Sequence, residues 1–386
     1  MPILFIHGSA DLYGSAKILL QVVGICVREK REVIVVLPHQ GILVQELEKI
    51  GVKVFVVNIG VLRRRYFTPW GLLGRIFLWA SATIRLFYII KKYRVSKIYI
   101  NSANVVLGPV LKRLTALPLV WHLHEIVGNP KILTKTLTKL ILHADKVIAV
   151  SKATKDFWSA QSDKLNVELL YNGIDTTLYE NADNMIDAEF PFSLKKNPGV
   201  VLIGMVGRLQ PWKGQEYFLD IMQAYFKETY SDSANVYAVM VGDPYPGYEH
   251  YVEELEASIK SKGLSEKVFY LGYRNDIPAV LASIDLLVMP SILPDPLPTV
   301  VLEAMSSGKA VLATKQGGAL EMIEEGVTGY FIDIDKPVEA AMILHKMLSA
   351  DPKHLKELGA NGYSRVKHLF TFDSFEKNWL KLFDRI

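Results

Sequence analysis

Two carboxylates separated by seven residues, Asp295 and Glu303, flank the run Pro296-Leu297-Pro298-Thr299-Val300-Val301-Leu302. Pro298 and Thr299 suit the first turn of a helix, where a proline ring sacrifices no hydrogen bond and backbone N–H groups point outward. Such an end attracts phosphate. Asp295 then falls in the loop before the helix and Glu303 a little over one turn inside it, so both acids can reach hydroxyls of a ligand whose phosphate sits between them. Taken alone, the segment reads equally well as a capped helix with two solvated acids. A second segment, Gly207-Arg208-Leu209-Gln210-Pro211-Trp212-Lys213-Gly214, follows a strand-like run and sets two cations at its end. There they can bind a diphosphate and stabilise it as it leaves. Surface Arg and Lys after a strand are common, but an anion-binding helix start in the same half of the chain favours the ligand reading.

The first half offers two further constellations. Tyr13-Gly14-Ser15-Ala16 follows the first strand-like run, and a glycine there lets backbone come close to a ligand, against the plainer reading of a turn and cap. Trp121-His122-Leu123-His124-Glu125 also follows a strand-like run. Two histidines and a glutamate are metal-ligand types, but no third partner at a familiar spacing accompanies them, and no metal is expected. Asp333-Ile334-Asp335, directly before Lys336-Pro337, reads as a solvated turn.

The elements that must position these residues are legible from periodicity. At 386 residues, half of them hydrophobic, the chain is long for one core, and two domains are the natural expectation. Short apolar runs recur at 2–7, 33–37, 53–57, 97–101, 119–122, 146–150 and 167–171, each a candidate buried parallel strand. Between the first two, Gly14–Arg28 carries Ile18, Leu19, Val22, Val23 and Ile25 at helical spacing, which makes a βαβ unit. A polar stretch, 175–199, breaks the pattern, and strand-like runs resume at 200–206, 236–241, 267–271, 285–289, 309–313 and 328–332. The reading is α/β: a first domain over 1–174, a linker over 175–199 and a second domain over 200–365, both Rossmann-like and facing across a cleft. A C-terminal helix within 366–386 packs back across the boundary, with Asp373 and Glu376 at capping-box spacing.

Charge separates the two halves. Residues 1–172 carry 24 Lys+Arg and 10 Asp+Glu, a net of +14, whereas residues 173–386 carry 20 and 30, a net of −10. The basic half suggests an acidic partner. Its clearest cluster is Arg63-Arg64-Arg65-Tyr66-Phe67-Thr68-Pro69-Trp70, where Arg63, Arg64, Arg65 and Trp70 suit docking on an anionic membrane. No recognised motif for nucleic acid accompanies the charge. The apolar stretch 72–90 contains Arg75 and Arg85, which is costly in a bilayer and argues for a helix covering the sheet. Cys26 stands alone, so the expected setting is a reducing cytoplasm, and the N-terminus reads as a buried strand.

From 171 to 332 the chain specifically resembles the glycosyltransferase family 4 enzymes of the GT-B fold. Asp295 and Glu303 match their Glu-x7-Glu pattern, with Asp in the first place, and Gly207-Arg208…Lys213-Gly214 resembles their diphosphate motif. Asn172-Gly173-Ile174-Asp175, Leu271-Gly272-Tyr273-Arg274-Asn275-Asp276-Ile277-Pro278 and Gly317-Gly318…Glu321…Gly326-Val327-Thr328-Gly329 fit in order. The resemblance implies a retaining, metal-independent transfer of a hexosyl group from a nucleoside-diphosphate sugar to a glycan or lipid-linked acceptor, with no cofactor. It further implies that Arg208 and Lys213 hold the diphosphate, Glu303 the ribose hydroxyls and Asp295 the transferred sugar. Backbone around Leu297, Pro298, Thr299 and Val300 meets phosphate, that of Tyr273 and Arg274 the base, and Gly14 and Ser15 the donor from the first domain. His124, with His122 two residues away as the alternative, matches the histidine near the reacting sugar. A nucleotide-sugar epimerase and a non-catalytic partner of another transferase are the rival readings.

Overall fold

A computed structural model of the chain describes residues 1–62, 68–180, 189, 191–227, 235–245, 247–349 and 353–385. It divides into two compact units, Met1–Asn172 with Asp373–Ile386, and Gly173–Phe372. The second unit therefore begins before the polar stretch and includes its described part.

In the first unit the order is β1 (Ile3–Ile6), α1 (Gly14–Arg28), β2 (Val33–Leu37), α2 (Ile42–Lys49), β3 (Lys53–Val56) and α3 (Pro69–Tyr93). It continues through β4 (Lys97–Ile100), α4 (Gly108–Thr115), β5 (Leu119–Leu123), α5 (Lys131–Ile141), β6 (Lys146–Ala149), α6 (Lys152–Ser159) and β7 (Val167–Leu169). The strands form one parallel sheet ordered β3-β2-β1-β4-β5-β6-β7, with Ile3 in register with Val33 on one side and Lys97 on the other. Central strands such as Ile3-Leu4-Phe5-Ile6 are buried along their whole length, because helices cover both faces of a parallel sheet and leave no face for polar residues.

The second unit holds α7 (Thr177–Glu180), β8 (Val201–Val206), α8 (Gln215–Lys227), β9 (Val236–Val241), α9 (Tyr251–Ser261), β10 (Val268–Tyr270) and α10 (Ile277–Ser283). It closes with β11 (Leu286–Met289), α11 (Thr299–Ser306), β12 (Ala310–Thr314), α12 (Ala319–Met322), β13 (Gly329–Ile332), α13 (Pro337–Ser349) and α14 (Lys353–Leu369). Its parallel sheet runs β10-β9-β8-β11-β12-β13. In both sheets the order reverses direction once, between β1 and β4 and between β8 and β11. Loops diverge at that point, and a crevice opens at the strand C-termini.

The last helix, α15 (Phe372–Phe383), belongs to the first unit from Asp373 onward, while residues 366–372 stay with the second. Trp379 and Phe383 stack at 4.6 Å, the Trp379 indole N–H donates to the Tyr99 hydroxyl at 3.3 Å, and Lys97 lies 4.1 Å from the Phe383 ring centroid. The capping box expected at Asp373 and Glu376 does not form as read. The helix starts one residue earlier, and Glu376 pairs with Arg28 at 2.6 Å.

Helix α3 covers the first sheet with one side only. Thr68 caps it by accepting the Gly71 N–H at 3.1 Å, and Leu72, Trp79, Ala82, Leu86, Ile89 and Ile90 join the core. Its other side is open to solvent. Arg63, Arg64 and Arg65, read above as membrane-docking, lie outside the described residues.

Candidate functional site

The second unit assembles its polar residues at the β8/β11 reversal. β8 delivers Gly207 and Arg208, a short 3-10 turn Pro211–Lys213 delivers the second cation, and Gly214 then turns the chain into α8. Gly214 has φ +82°, and a Cβ there would sit 2.0 Å from the Pro290 carbonyl oxygen, so only glycine lets this turn pack against the end of β11. The Lys213 ammonium pairs with the Asp295 carboxylate and lies 4.4 Å from the Trp212 ring centroid. Arg208 stacks over Tyr245 at 5.2 Å, while the Gln215 amide donates to the Arg208 carbonyl at 2.9 Å.

The loop from β11 carries Asp295 onto a glycine floor. The Gly318 N–H donates to the Asp295 carbonyl at 2.8 Å, and a Cβ at Gly317 or Gly318 would meet the backbone of Asp295 or Pro296 at 2.4 or 2.3 Å. Pro298 stands at the N-cap of α11 and no side chain caps the helix, so its first N–H groups around Thr299 and Val300 have no side-chain acceptor, the geometry in which a helix end can hold an anion. Leu297 is buried beneath it. Glu303 is buried one turn inside, close enough to Tyr179 for its carboxylate, after burial itself, to push the phenol above its ordinary range. Tyr179, on α7 packed against α11, is not singled out in the sequence because it lies within the polar stretch rather than after a strand.

Tyr273 and Arg274 follow β10, an edge strand two places from β8. The Tyr273 side chain is exposed, and the Arg274 guanidinium is engaged by Asp276 and stacked over Phe192. Glycines hold β8 and β9 together at this end. Gly242 has φ +148°, and a Cβ on it would fall 1.9 Å from the Gly207 carbonyl oxygen. Asp333 pairs with Lys336 at 3.1 Å, and Asp335 takes a positive φ, the geometry of a turn.

In the first unit the β1/β4 reversal gathers a buried polar web. Asn101 follows β4; its amide donates to the Ser15 carbonyl at 2.9 Å and its side-chain oxygen faces His124 Nε2 at 3.0 Å. That orientation requires the proton of His124 on Nε2 and leaves Nδ1 as an acceptor. His7, after β1, donates from Nδ1 to the Asn101 carbonyl at 2.9 Å, and the Tyr99 hydroxyl meets His122 Nδ1 at 2.9 Å. Glu125 accepts from Ser102, Ala103 and the His124 N–H at 2.6, 2.9 and 3.2 Å. The structure thus joins Ser15 to His124 through Asn101. Asn101 and His7 went unnoticed in the sequence, although each directly follows a strand.

Burial holds all three histidines neutral, lowering His7 to about 4, His122 to about 3 and His124 well below the ordinary 6.5, the last helped by its neighbours His122 and His7. Neutral His124 can accept a hydrogen bond from a hydroxyl but has no proton to give at neutral pH. Burial raises Glu125 despite its three donors. The unfolded chain binds protons at these histidines below 6.5 and the folded chain does not, so stability is full above 6.5 and falls as pH drops. Each contributes a slope of up to about 1.4 kcal/mol per pH unit. Glu125 has the opposite sign and offsets one group at most. Urea unfolding at about pH 5 is expected to give a free energy roughly 2 kcal/mol or more below that at neutral pH; equal values would mean the histidines are already charged in the fold.

Residues 14–178 match the family model described as Glycosyltransferase Family 4, and residues 187–365 match Glycosyl transferases group 1. A glycosyltransferase of Methanocaldococcus jannaschii is 28% identical over 65% of this chain, which spans 62% of that relative's length. The UDP-Gal:alpha-D-GlcNAc-diphosphoundecaprenol alpha-1,3-galactosyltransferase of Escherichia coli is 26% identical over 75% of this chain and 77% of its own. Among solved structures, Anabaena HepE in complex with UDP-glucose superposes with a TM-score of 0.84 at 26% identity, covering all of both chains.

Proposed function

Because the chain belongs to the family 4, group 1 glycosyltransferases, with the GT-B fold, we propose that it moves a hexosyl group from a UDP-sugar to a glycan or lipid-linked acceptor, with retained configuration and without a metal. The observation that carries the reading is the meeting of Arg208, Lys213 and Asp295 with the start of α11 at one sheet reversal. Cations and an open helix end there await a diphosphate, and carboxylates await hydroxyls. The HepE complex with UDP-glucose and the UDP-galactose relative support uridine in the donor. The relative's diphosphoundecaprenol acceptor supports a lipid-linked one. The site of action that follows is the cytoplasmic face of a membrane.

In this reading the acceptor hydroxyl attacks the anomeric carbon on the face that the diphosphate leaves. The new glycosidic bond forms as the bond from that carbon to the phosphate oxygen breaks, and a donor phosphate oxygen takes the hydroxyl proton. Arg208, Lys213 and the N–H groups of Thr299 and Val300 stabilise the charge that grows on the diphosphate. Asp295 orients the sugar and Glu303 the ribose, and in the first unit His124 Nδ1 can accept from a hydroxyl.

A thermal-shift panel of nucleoside-diphosphate sugars tests the donor, because a ligand that binds only the folded state raises its melting temperature. UDP-glucose or UDP-galactose is expected to give the largest rise. With labelled donor and a polyprenyl-diphosphate sugar, label is expected to enter the lipid and to do so undiminished in the presence of a chelator. Epimerised donor formed without acceptor would replace this reading by an epimerase, absence of both binding and turnover by a non-catalytic partner, and abolition by chelator would overturn metal independence.

A further inference from the structure

The outer face of α3 is an apolar stripe on a helix layer that carries only positive charge. Trp70, Leu73, Phe77, Ile84 and Tyr88 recur at spacings of three, four and seven, and all are exposed, Trp70 at 83% and Phe77 and Ile84 at 71% each. At 1.5 Å per residue the stripe runs for about 27 Å. Its width is that of one helix face, since Leu72, Trp79, Ala82, Leu86 and Ile90 on the opposite side are in the core. Helix α3 packs on α4 and α4 on α5, and these three helices carry nine Lys and Arg and no carboxylate. From Lys49 to His124 the chain has 13 Lys and Arg and not one Asp or Glu.

We propose that this face is a membrane-docking surface: α3 lies flat on an anionic bilayer with Trp70, Leu73, Phe77, Ile84 and Tyr88 in the headgroup and acyl boundary. Arg85, Lys91 and Lys92, beside and beyond the stripe, reach anionic headgroups, and the aliphatic stems of such side chains cover apolar surface while their charges stay wet. The inference deepens the lipid-linked acceptor reading and rests on it only for its purpose, since docking holds the first unit where such an acceptor resides. Charge selects lipid over the other occupants. A second copy of the chain would set these cations against one another, and a spanning helix would bury Arg75 and Arg85 in hydrocarbon and strip the core of Leu86 and Ile90.

Vesicle flotation tests the proposal, using phosphatidylcholine with and without phosphatidylglycerol, for wild type, Phe77→Glu/Ile84→Glu and Lys91→Glu/Lys92→Glu. Wild type is expected to float with the anionic vesicles and to be released by carbonate. The apolar-to-acid variant should bind at least about tenfold less at every salt concentration, and the charge-reversed variant should lose the preference for anionic lipid. Equal flotation of wild type and the Phe77/Ile84 variant overturns the proposal, as does resistance to carbonate. So does a wild-type dimer in the absence of lipid that the same variant dissociates. Turnover of a UDP-sugar with a water-soluble acceptor should be unchanged in both variants; if no protein turns it over yet wild type still floats, the glycosyltransferase reading fails and the docking surface stands.

Discussion

Glu303→Ala and Lys213→Ala are each expected to lower transfer by ~10²–10³ while the chain stays folded, because under the proposed function each removes one preorganised polar contact to the donor. The two should differ in stability. Lys213→Ala strands the Asp295 carboxylate, whose side chain is only 10% exposed, without its counter-ion. A Lys213→Ala/Asp295→Ala double variant separates the roles. If the pair is only a structural ion pair, removing both partners restores activity along with stability. With Lys213 on the leaving diphosphate, stability returns and transfer does not. Steady-state kinetics and urea unfolding on the same four proteins read both quantities, and near-full activity in either single variant would remove these residues from the site.

Gly214→Ala is expected to cost more than any surface change, about 3 kcal/mol or more of stability together with most of the activity, because two penalties act at one atom. The left-handed backbone at φ +82° strains any residue with a Cβ, and that Cβ would overlap the Pro290 carbonyl oxygen at 2.0 Å. Relief requires the turn to move away from the end of β11, which carries Lys213 away from Asp295. Gly263 provides the control, with φ +71° and open space around its Cβ position, so Gly263→Ala bears only the backbone cost of about 1 kcal/mol and leaves transfer unchanged. Denaturant midpoints and rates for the two variants decide the matter; a Gly214→Ala protein as stable and active as Gly263→Ala would show that the turn yields without consequence.

The individual residues show how much could be read in one dimension. All thirteen strands among the described residues appear in the sequence as short, largely apolar runs such as Val33–Leu37, within one or two residues of their ends, because a central parallel strand covered on both faces leaves few polar positions to interrupt the run. Helix α1 was equally plain from its 3.6-residue period. The cations, Asp295 and the Pro-Thr helix start of the candidate site are legible because they stand in the loops that follow β8 and β11, where a doubly wound sheet places its ligands, and Glu303 is legible from its spacing to Asp295.

Sequence alone therefore determined the class of fold, the order of its elements and the short candidate segments that follow the strands, since these depend on local periodicity and on residues close along the chain. Tertiary structure decided what those segments meet. Lys213 and Asp295 are 82 residues apart, and their pairing exists only because β8 and β11 lie side by side. The glycine contact of Gly242 with Gly207, and the web that runs from Ser15 through Asn101 to His124, likewise follow from strand order. Hydropathy marked 72–90 as apolar on nearly all sides, but periodicity reports what a helix carries and not which side the sheet covers. Packing took Leu72, Trp79 and Leu86 inward and left Phe77 and Ile84 to the solvent, because a helix lying on a sheet can bury only one face against it.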